Sequence, residues 1–200
     1  MARLIGLSGS LRRGSYNSAL LRAAAEVVPA GTTLEIASIS GIPLYDGDAE
    51  AEHGVPPLVT RLKDRIAEAD GLVLVTPEYN NSLPGVFKNA IDWLTRPPED
   101  IARVFGDKPV ALFGATPGSG GTRLGQAAWG PVLRTLGTRY WNGQQLYVAR
   151  AAEVFDPQGK LVDENVKKLL TQLLAAFATF ADASARGEVA ATYELGIPGT

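Results

Sequence analysis

Cysteine is absent from these 200 residues. Thiol catalysis, disulfide staples and Cys-ligated metal or iron–sulfur centres are therefore excluded. Any redox chemistry must come from a bound cofactor. Histidine is almost absent: the one copy, His53, falls in an acidic, irregular stretch with no identifiable orienting partner. A catalytic base needs such a partner, so His53 is expected to be solvent-exposed and uninvolved. Neither sign of charge dominates, with 19 basic and 21 acidic residues and a net charge of −2. A nucleic-acid binder would carry a basic face, so no nucleic-acid partner is expected. No apolar run approaches the ~20 residues that span a bilayer. Gly9, Ser10, Arg12 and Arg13 interrupt the apolar start too early for an export signal. The expectation is a soluble cytoplasmic protein with no membrane partner.

Several sequence fingerprints are missing as well. There is no G-x-G-x-x-G of a dinucleotide-binding turn and no G-x-x-x-x-G-K-[ST] of the nucleoside triphosphatases. The G-x-S-x-G elbow of the serine hydrolases is also lacking. The acidic cluster Asp46, Asp48, Glu50 and Glu52 has no metal-ligand spacing and reads as a solvated loop.

What is present is alternation. Apolar runs at residues 4–8, 33–39, 71–76 and 109–115 predict strands, and a fifth is expected at 145–148. Helical spacing predicts helices over 17–28, 58–69, 84–94, 120–136 and 165–186. Residues 41–57 and 95–108 read as loops. Strictly alternating strands and helices imply a parallel sheet covered on both faces, and five strands suit the order 2-1-3-4-5. One α/β domain over residues 1–186 follows, with 187–200 as an irregular tail.

In such sheets ligands bind beyond the carboxyl ends of the strands, where the strand order reverses. Here that point lies between strands 1 and 3. The loop after strand 1 reads Gly9-Ser10-Leu11-Arg12-Arg13-Gly14-Ser15-Tyr16-Asn17. Hydroxyls, a guanidinium and an amide cluster where a helix begins, and a helix N-terminus favours anions. Arginine adds charge-assisted bonds to phosphate. The loop after strand 3 carries Pro77, Glu78, Tyr79, Asn80, Asn81 and Ser82. Amides can read the pyrimidine edge of an isoalloxazine ring and an aromatic can pack on its face; alone, the same residues would make an ordinary turn. The glycines of Pro117-Gly118-Ser119-Gly120-Gly121 could serve a turn or a ligand equally well.

With these motifs the chain resembles the NAD(P)H-dependent FMN reductase family of the flavodoxin-like superfamily, bacterial quinone and chromate reductases included. The resemblance runs from about Leu4 to Phe180. Its carriers are residues 9–17, then Thr76-Pro77-Glu78-Tyr79-Asn80 with Ser82, continuing through residues 84–94, and finally Lys108-Pro109-Val110. It implies a flavodoxin-like three-layer sandwich that binds FMN and takes electrons from NADPH or NADH. Ser10, Arg12, Ser15 and Asn17 would hold the FMN phosphate, with Tyr16 in the same motif. Pro77, Glu78, Tyr79, Asn80 and Thr116 would line the flavin. The acceptor would be a small molecule such as a quinone, a free flavin, an azo compound or a metal oxyanion.

Hydride transfer between nicotinamide and flavin needs no protein acid or base, so no catalytic residue is expected. The resemblance also implies a homodimer or homotetramer with each flavin near a subunit interface. The expected interface is helix 84–94 with the loop beyond it, and Trp93, at the edge of the helix's core face, is expected to take part. The competing readings are a flavodoxin-type electron carrier without NAD(P)H activity and a cofactor-free α/β domain.

Overall fold

The computed structural model describes residues 1–188, so the expected tail lies outside the described residues except for Gly187 and Glu188. Strand β1 (Arg3–Ser8) leads into helix α1 (Tyr16–Val27), and β2 (Thr33–Ala37) follows. Next come α2 (Gly47–His53), α3 (Pro57–Glu68), β3 (Gly71–Val75) and α4 (Gly85–Leu94). A 3-10 turn (Pro98–Asp100) runs into α5 (Ile101–Phe105) and then β4 (Pro109–Ala115). The chain continues through α6 (Arg123–Thr135), β5 (Arg139–Tyr140), β6 (Tyr147–Val148), α7 (Ala151–Val154) and α8 (Glu164–Ala185).

The strands pair in the order β2-β1-β3-β4-β5, all parallel, as the alternation predicts. The two middle strands β3 and β4 are buried along their whole length. Their side chains point alternately to opposite faces, which divides the core in two. Val73, Val75, Ala111 and Phe113 pack under α1 and α8, against Leu20, Leu174 and Phe177. Leu72, Leu74, Val110 and Leu112 pack under α3, α4 and α6, against Leu62, Ile91 and Leu133. The result is a three-layer sandwich whose strands all end at one rim. No helix among the described residues is long and apolar enough to cross a membrane.

Four features differ from expectation. The fifth strand is split. β5 pairs with the start of β4 at Pro109 and Val110, and β6 pairs with its end at Gly114 and Ala115. Trp141 still donates its N–H to the Val110 carbonyl of β4 at 2.9 Å while its ring packs on Phe177, ring centroids 5.6 Å apart, and the chain is off the ladder only after it. The stretch read as a loop at 41–57 contains α2, capped by Asp46, whose side chain accepts from the Asp48 N–H at 2.9 Å. Asp48 and Glu50 lie in its first turn, so Asp46, Asp48 and Glu50 belong to a helix N-terminus, where negative charge is favoured, and only Glu52 lies toward the other end. The stretch 95–108 holds the 3-10 turn and α5, which bury Val104 and Phe105.

Trp93 is the fourth difference. It is buried rather than available to a partner subunit. Its indole Nε1 donates to the Pro43 carbonyl at 2.9 Å and its ring meets Tyr45 edge-on at 5.0 Å. The segment before α2 covers it, and α2 itself is clamped by Arg96 on Glu50 at 2.8 Å.

Candidate functional site

A cleft of about 520 Å³ opens at the carboxyl rim, where the neighbouring strands β1 and β3 send their following helices to opposite faces of the sheet. That volume suits a small-molecule site. Three loops build it. Ser10, Arg12, Ser15, Tyr16 and Asn17 come from the β1–α1 loop and the first turn of α1. Pro77, Glu78 and Tyr79 come from the loop after β3, and Ala115, Thr116 and Pro117 from the end of β4. Nearly all the residues singled out in the sequence are thus brought together. Asn80 is not among those lining the cleft.

The β1–α1 loop is anchored from below. Gly9 donates its N–H to Val75 at 2.9 Å, and a Cβ at this position would come within 2.2 Å of the Phe87 ring. Only glycine lets the loop lie this close to α4. Ser15 caps α1, its hydroxyl accepting from the Ser18 N–H at 3.2 Å. Ser10 Oγ accepts from the Arg12 N–H at 3.3 Å. The amides of Leu11, Arg13, Gly14, Tyr16 and Asn17 find no acceptor among the described residues. Unpaired amides at a helix N-terminus suit an anion. Arg12 is exposed, holds no carboxylate among the described residues and has its guanidinium 5.6 Å from the centre of the Tyr16 ring.

Asn17 has a different task from its neighbours. Its side chain is buried, with Nδ2 donating to the Ala115 carbonyl and Oδ1 accepting from the Ala115 N–H, both at 2.9 Å. The amide group is fully occupied in tying α1 to the end of β4. It therefore fixes the distance between two walls of the cleft.

The loop after β3 is equally constrained. Thr76 is buried, accepts from Trp129 Nε1 at 3.0 Å and donates to the Pro77 carbonyl at 2.9 Å. Tyr79 and Ser82 exchange both backbone bonds at 3.0 Å, around Asn80 and Asn81 in the left-handed region with φ of 50° and 62°. This is the tight turn that paired asparagines favour, so Asn80 shapes the loop that presents Tyr79. Glu78 accepts from the Gly125 N–H at 2.8 Å. It caps α6, whose own N-cap Thr122 makes no side-chain cap.

In the glycine-rich stretch after β4, Gly121 has a φ of 64° and a Cβ there would strike Tyr147 at 2.7 Å. Its role is structural. A Cβ at Gly118 or Gly120 would meet nothing closer than 3.8 Å. His53 ends α2 with its side chain exposed, near Glu52.

Sequence reasoning missed Ala115 and Pro117 as wall residues, and Trp129 as the support of Thr76. The first two flank Thr116 and could have been found by taking the whole loop after strand 4. Trp129 carries no local signal, because its partner lies 53 residues away.

Several known proteins are similar to this chain in sequence and in fold. An NAD(P)H-dependent FMN reductase of Pseudomonas aeruginosa is 45% identical over 174 residues, spanning 87% of this chain and 92% of that protein. A quinone reductase of Escherichia coli is 37% identical over 180 residues, spanning 89% of this chain and 94% of its own. Among solved structures, the flavoenzyme NAD(P)H:(acceptor) oxidoreductase FerB from Paracoccus denitrificans superposes with a TM-score of 0.81 at 33% identity. That match covers 92% of this chain and 99% of FerB. Residues 2–153 match the family described as NADPH-dependent FMN reductase, and the chain therefore belongs to that flavodoxin-like family of oxidoreductases, which work with FMN and NAD(P)H.

Proposed function

We propose that the cleft between the loops after β1, β3 and β4 holds FMN, and that electrons pass through it from NAD(P)H to a small acceptor, a quinone before others. The observation that carries this reading is the anion cradle at the strand-order reversal. Arg12, Tyr16 and Asn17 line the cleft, the amides of Tyr16 and Asn17 have no acceptor among the described residues, and those of Leu11, Arg13 and Gly14 in the same loop have none either. A phosphate monoester fits that donor set, because every group in it donates. The hydroxyls of Ser10 and Ser15 can each give a further bond, since both now only accept. Pro77, Tyr79 and Pro117 also line the cleft, and side chains of this kind suit a planar ring.

Bound FMN supplies the hydride acceptor and donor. The chain's own residues bind and orient. Ser10, Arg12 and Ser15 hold the phosphate end. Asn17 acts through Ala115 by fixing the cleft's width, and Thr76 and Trp129 fix the direction in which the loop after β3 leaves the sheet. Tyr79 and Thr116 stand on opposite walls at the ring end, and Glu78 holds one of those walls to α6. No side chain has to move a proton. Quinones lead the acceptors because the Escherichia coli relative is a quinone reductase. The reading includes assembly as a homodimer or homotetramer, with Trp93 excluded as a contact because it is buried within its own subunit.

The test is a titration with FMN, FAD and riboflavin followed by visible absorbance, then oxidation of NADH and NADPH with benzoquinone as acceptor. FMN should bind best, and the loaded protein should oxidise nicotinamide in a quinone-dependent way. FAD binding as tightly as FMN would remove the phosphate cradle from the argument. FMN binding without nicotinamide oxidation would make the chain an electron carrier.

A further inference from the structure

The hairpin that follows α7 gives no residue to the lining of the cleft, yet it reaches the cleft through one ring. Phe155 leaves α7 in an extended conformation and bridges to Leu161, antiparallel. Asp156 ties the turn between them, its Oδ1 accepting from the Gln158 N–H at 2.9 Å and from the Lys160 N–H at 2.8 Å. Gly159, with a φ of 79°, brings the turn against α1: a Cβ there would lie 3.0 Å from the Arg22 guanidinium and 3.7 Å from Ala19. Tyr16 and Ala19 are three residues apart and share a face of α1, and the hairpin lies along it. Phe155 is buried there and stacks on the Tyr16 ring, centroids 5.9 Å and planes 27° apart.

Tyr16 itself lines the cleft, and the Arg12 guanidinium lies over its ring, 5.6 Å from the centre. The same guanidinium comes close to Gly14, where a Cβ would be 3.5 Å from Nη1. Arg12 thus folds back over the loop whose amides have no acceptor among the described residues. A cation is attracted to an aromatic face, and the stack occupies only the face of the guanidinium. Its N–H groups point out of its edge, where a phosphate binds. Building on the FMN reading above, we propose that the Phe155–Tyr16 stack is a platform that positions Arg12 for the FMN phosphate. An exposed arginine that must be ordered by its ligand costs affinity. Resting on a ring held from behind, Arg12 is ordered before the ligand arrives. Phe155 is then a positioning residue: it acts through Tyr16 and Arg12. Riboflavin, which has no phosphate, gains nothing from it.

The test titrates FMN and riboflavin into wild type, Tyr16→Phe, Tyr16→Leu, Phe155→Leu, Arg12→Ala and Arg12→Ala/Phe155→Leu. Tyr16→Phe keeps the ring and should bind FMN within about twofold of wild type. Tyr16→Leu and Phe155→Leu should each weaken FMN about threefold to tenfold, from the lost cation–ring attraction and the lost ordering of Arg12. Riboflavin should stay within about twofold in both, because neither effect reaches a ligand without phosphate. With Arg12 already removed, Phe155→Leu should change FMN affinity by less than about twofold, since its effect passes through the guanidinium. In the unliganded protein, the ring current of Tyr16 should shift the Arg12 side-chain protons upfield in NMR spectra. Phe155→Leu should return them toward their ordinary position.

Equal losses of FMN and riboflavin in a folded Phe155→Leu, or no loss of either, would overturn the proposal. So would an FMN loss from Phe155→Leu that persists in full without Arg12. A loss in Tyr16→Phe as large as in Tyr16→Leu would also overturn it, by assigning the effect to the hydroxyl. Should Phe155→Leu fail to fold, Tyr16→Leu, at a half-buried position, carries the same comparison of the two flavins. A wild type that binds neither flavin defeats the FMN reading instead. In that case an upfield Arg12 signal that is lost in Tyr16→Leu still upholds the platform, and an ordinary Arg12 signal removes it.

Discussion

At the amino-terminal rim of the sheet, Lys108 reaches the carbonyls of Ala67 and Ala69. Arg3 holds Asp70 through its backbone N–H at 2.7 Å and the Glu68 carbonyl through its guanidinium at 2.6 Å. Arg139 pairs with Asp107 at 3.2 Å. At the carboxyl-terminal rim of the same strands, a run of loop amides has no acceptor among the described residues, and Arg12 holds no carboxylate there. The same strands and helices therefore end in two different chemistries. Groups paired within the chain contribute to folding. Groups left to water contribute little to it and remain available to a ligand. Changes to paired groups should cost stability and spare binding, and changes at the unpaired loop should do the reverse.

The largest effect is expected just beyond the end of α4. Lys63 is buried and donates to the Arg96 carbonyl at 2.5 Å and to Asp100 at 2.6 Å. Asp100→Asn would leave that ammonium buried without its counter-charge, at a cost of about 3 kcal/mol. Lys63→Met should cost far less, because Asp100 is partly exposed and keeps Arg103 at 3.2 Å. Urea denaturation of both variants measures the asymmetry, and FMN affinity should be unchanged in both. Bonds from Arg103 and Lys63 hold the Asp100 carboxyl at about 2, below its ordinary 3.8. A carboxyl lowered in the fold contributes fully above its unfolded value and loses that contribution as pH falls toward 2. Wild type should therefore lose stability over that acid range more steeply than Asp100→Asn.

Two residues of the cleft itself sharpen the contrast, because one is paired and the other is not. Asn17→Ala would strand both the N–H and the carbonyl of Ala115 in a buried position, costing about 2–3 kcal/mol of stability. Since the cleft's walls would also part, FMN and riboflavin should lose affinity alike. Arg12→Ala should leave stability within about 0.5 kcal/mol, as is usual for an exposed side chain. It should weaken FMN by about 1.5–3 kcal/mol through the lost bond to phosphate, while riboflavin, lacking the phosphate, is unaffected. Thermal melts and flavin titrations on the two variants give all four numbers. A stability loss in Arg12→Ala as large as in Asn17→Ala would break the division between the rims.

The parts of this molecule that the sequence predicts well share one property: their cause is local. The periodicity of Leu170, Leu173, Leu174 and Phe177 predicts α8, the apolar runs predict β1, β3 and β4, and the helix start at Ser15 marks the anion loop. The parts that it hides depend on distant partners. Nothing near Asn17 shows that its amide is occupied by Ala115, 98 residues on. Trp93 looks like a rim residue by helical spacing, and only the packing of Pro43 and Tyr45 covers it. The last strand is split into two short pieces that pair with opposite ends of β4, a pattern set by a strand distant in sequence. Short helices such as α2 and α5 offer too few turns for periodicity to register.

Glu78 carries the smallest expected effect and the sharpest test of the division, because it lines the cleft and yet is paired. Its carboxylate accepts from the Gly125 N–H in the first turn of α6, in place of the cap that Thr122 does not make. Glutamine at position 78 keeps an oxygen for that bond and loses only the favourable charge at the helix N-terminus, worth about 0.3–1 kcal/mol. Alanine loses the bond as well, for roughly a further 1 kcal/mol. If Glu78 serves the fold, the melting temperature should fall in the order wild type, Glu78→Gln, Glu78→Ala. FMN affinity should hardly change in the glutamine variant. It should drop in the alanine variant, where the loop after β3 loses its tie to α6 and Tyr79 moves with it. A shift in FMN affinity for Glu78→Gln as large as that of Arg12→Ala would mean that the charge itself acts on the ligand, and pairing within the chain would no longer separate groups that hold the fold from groups that hold the flavin.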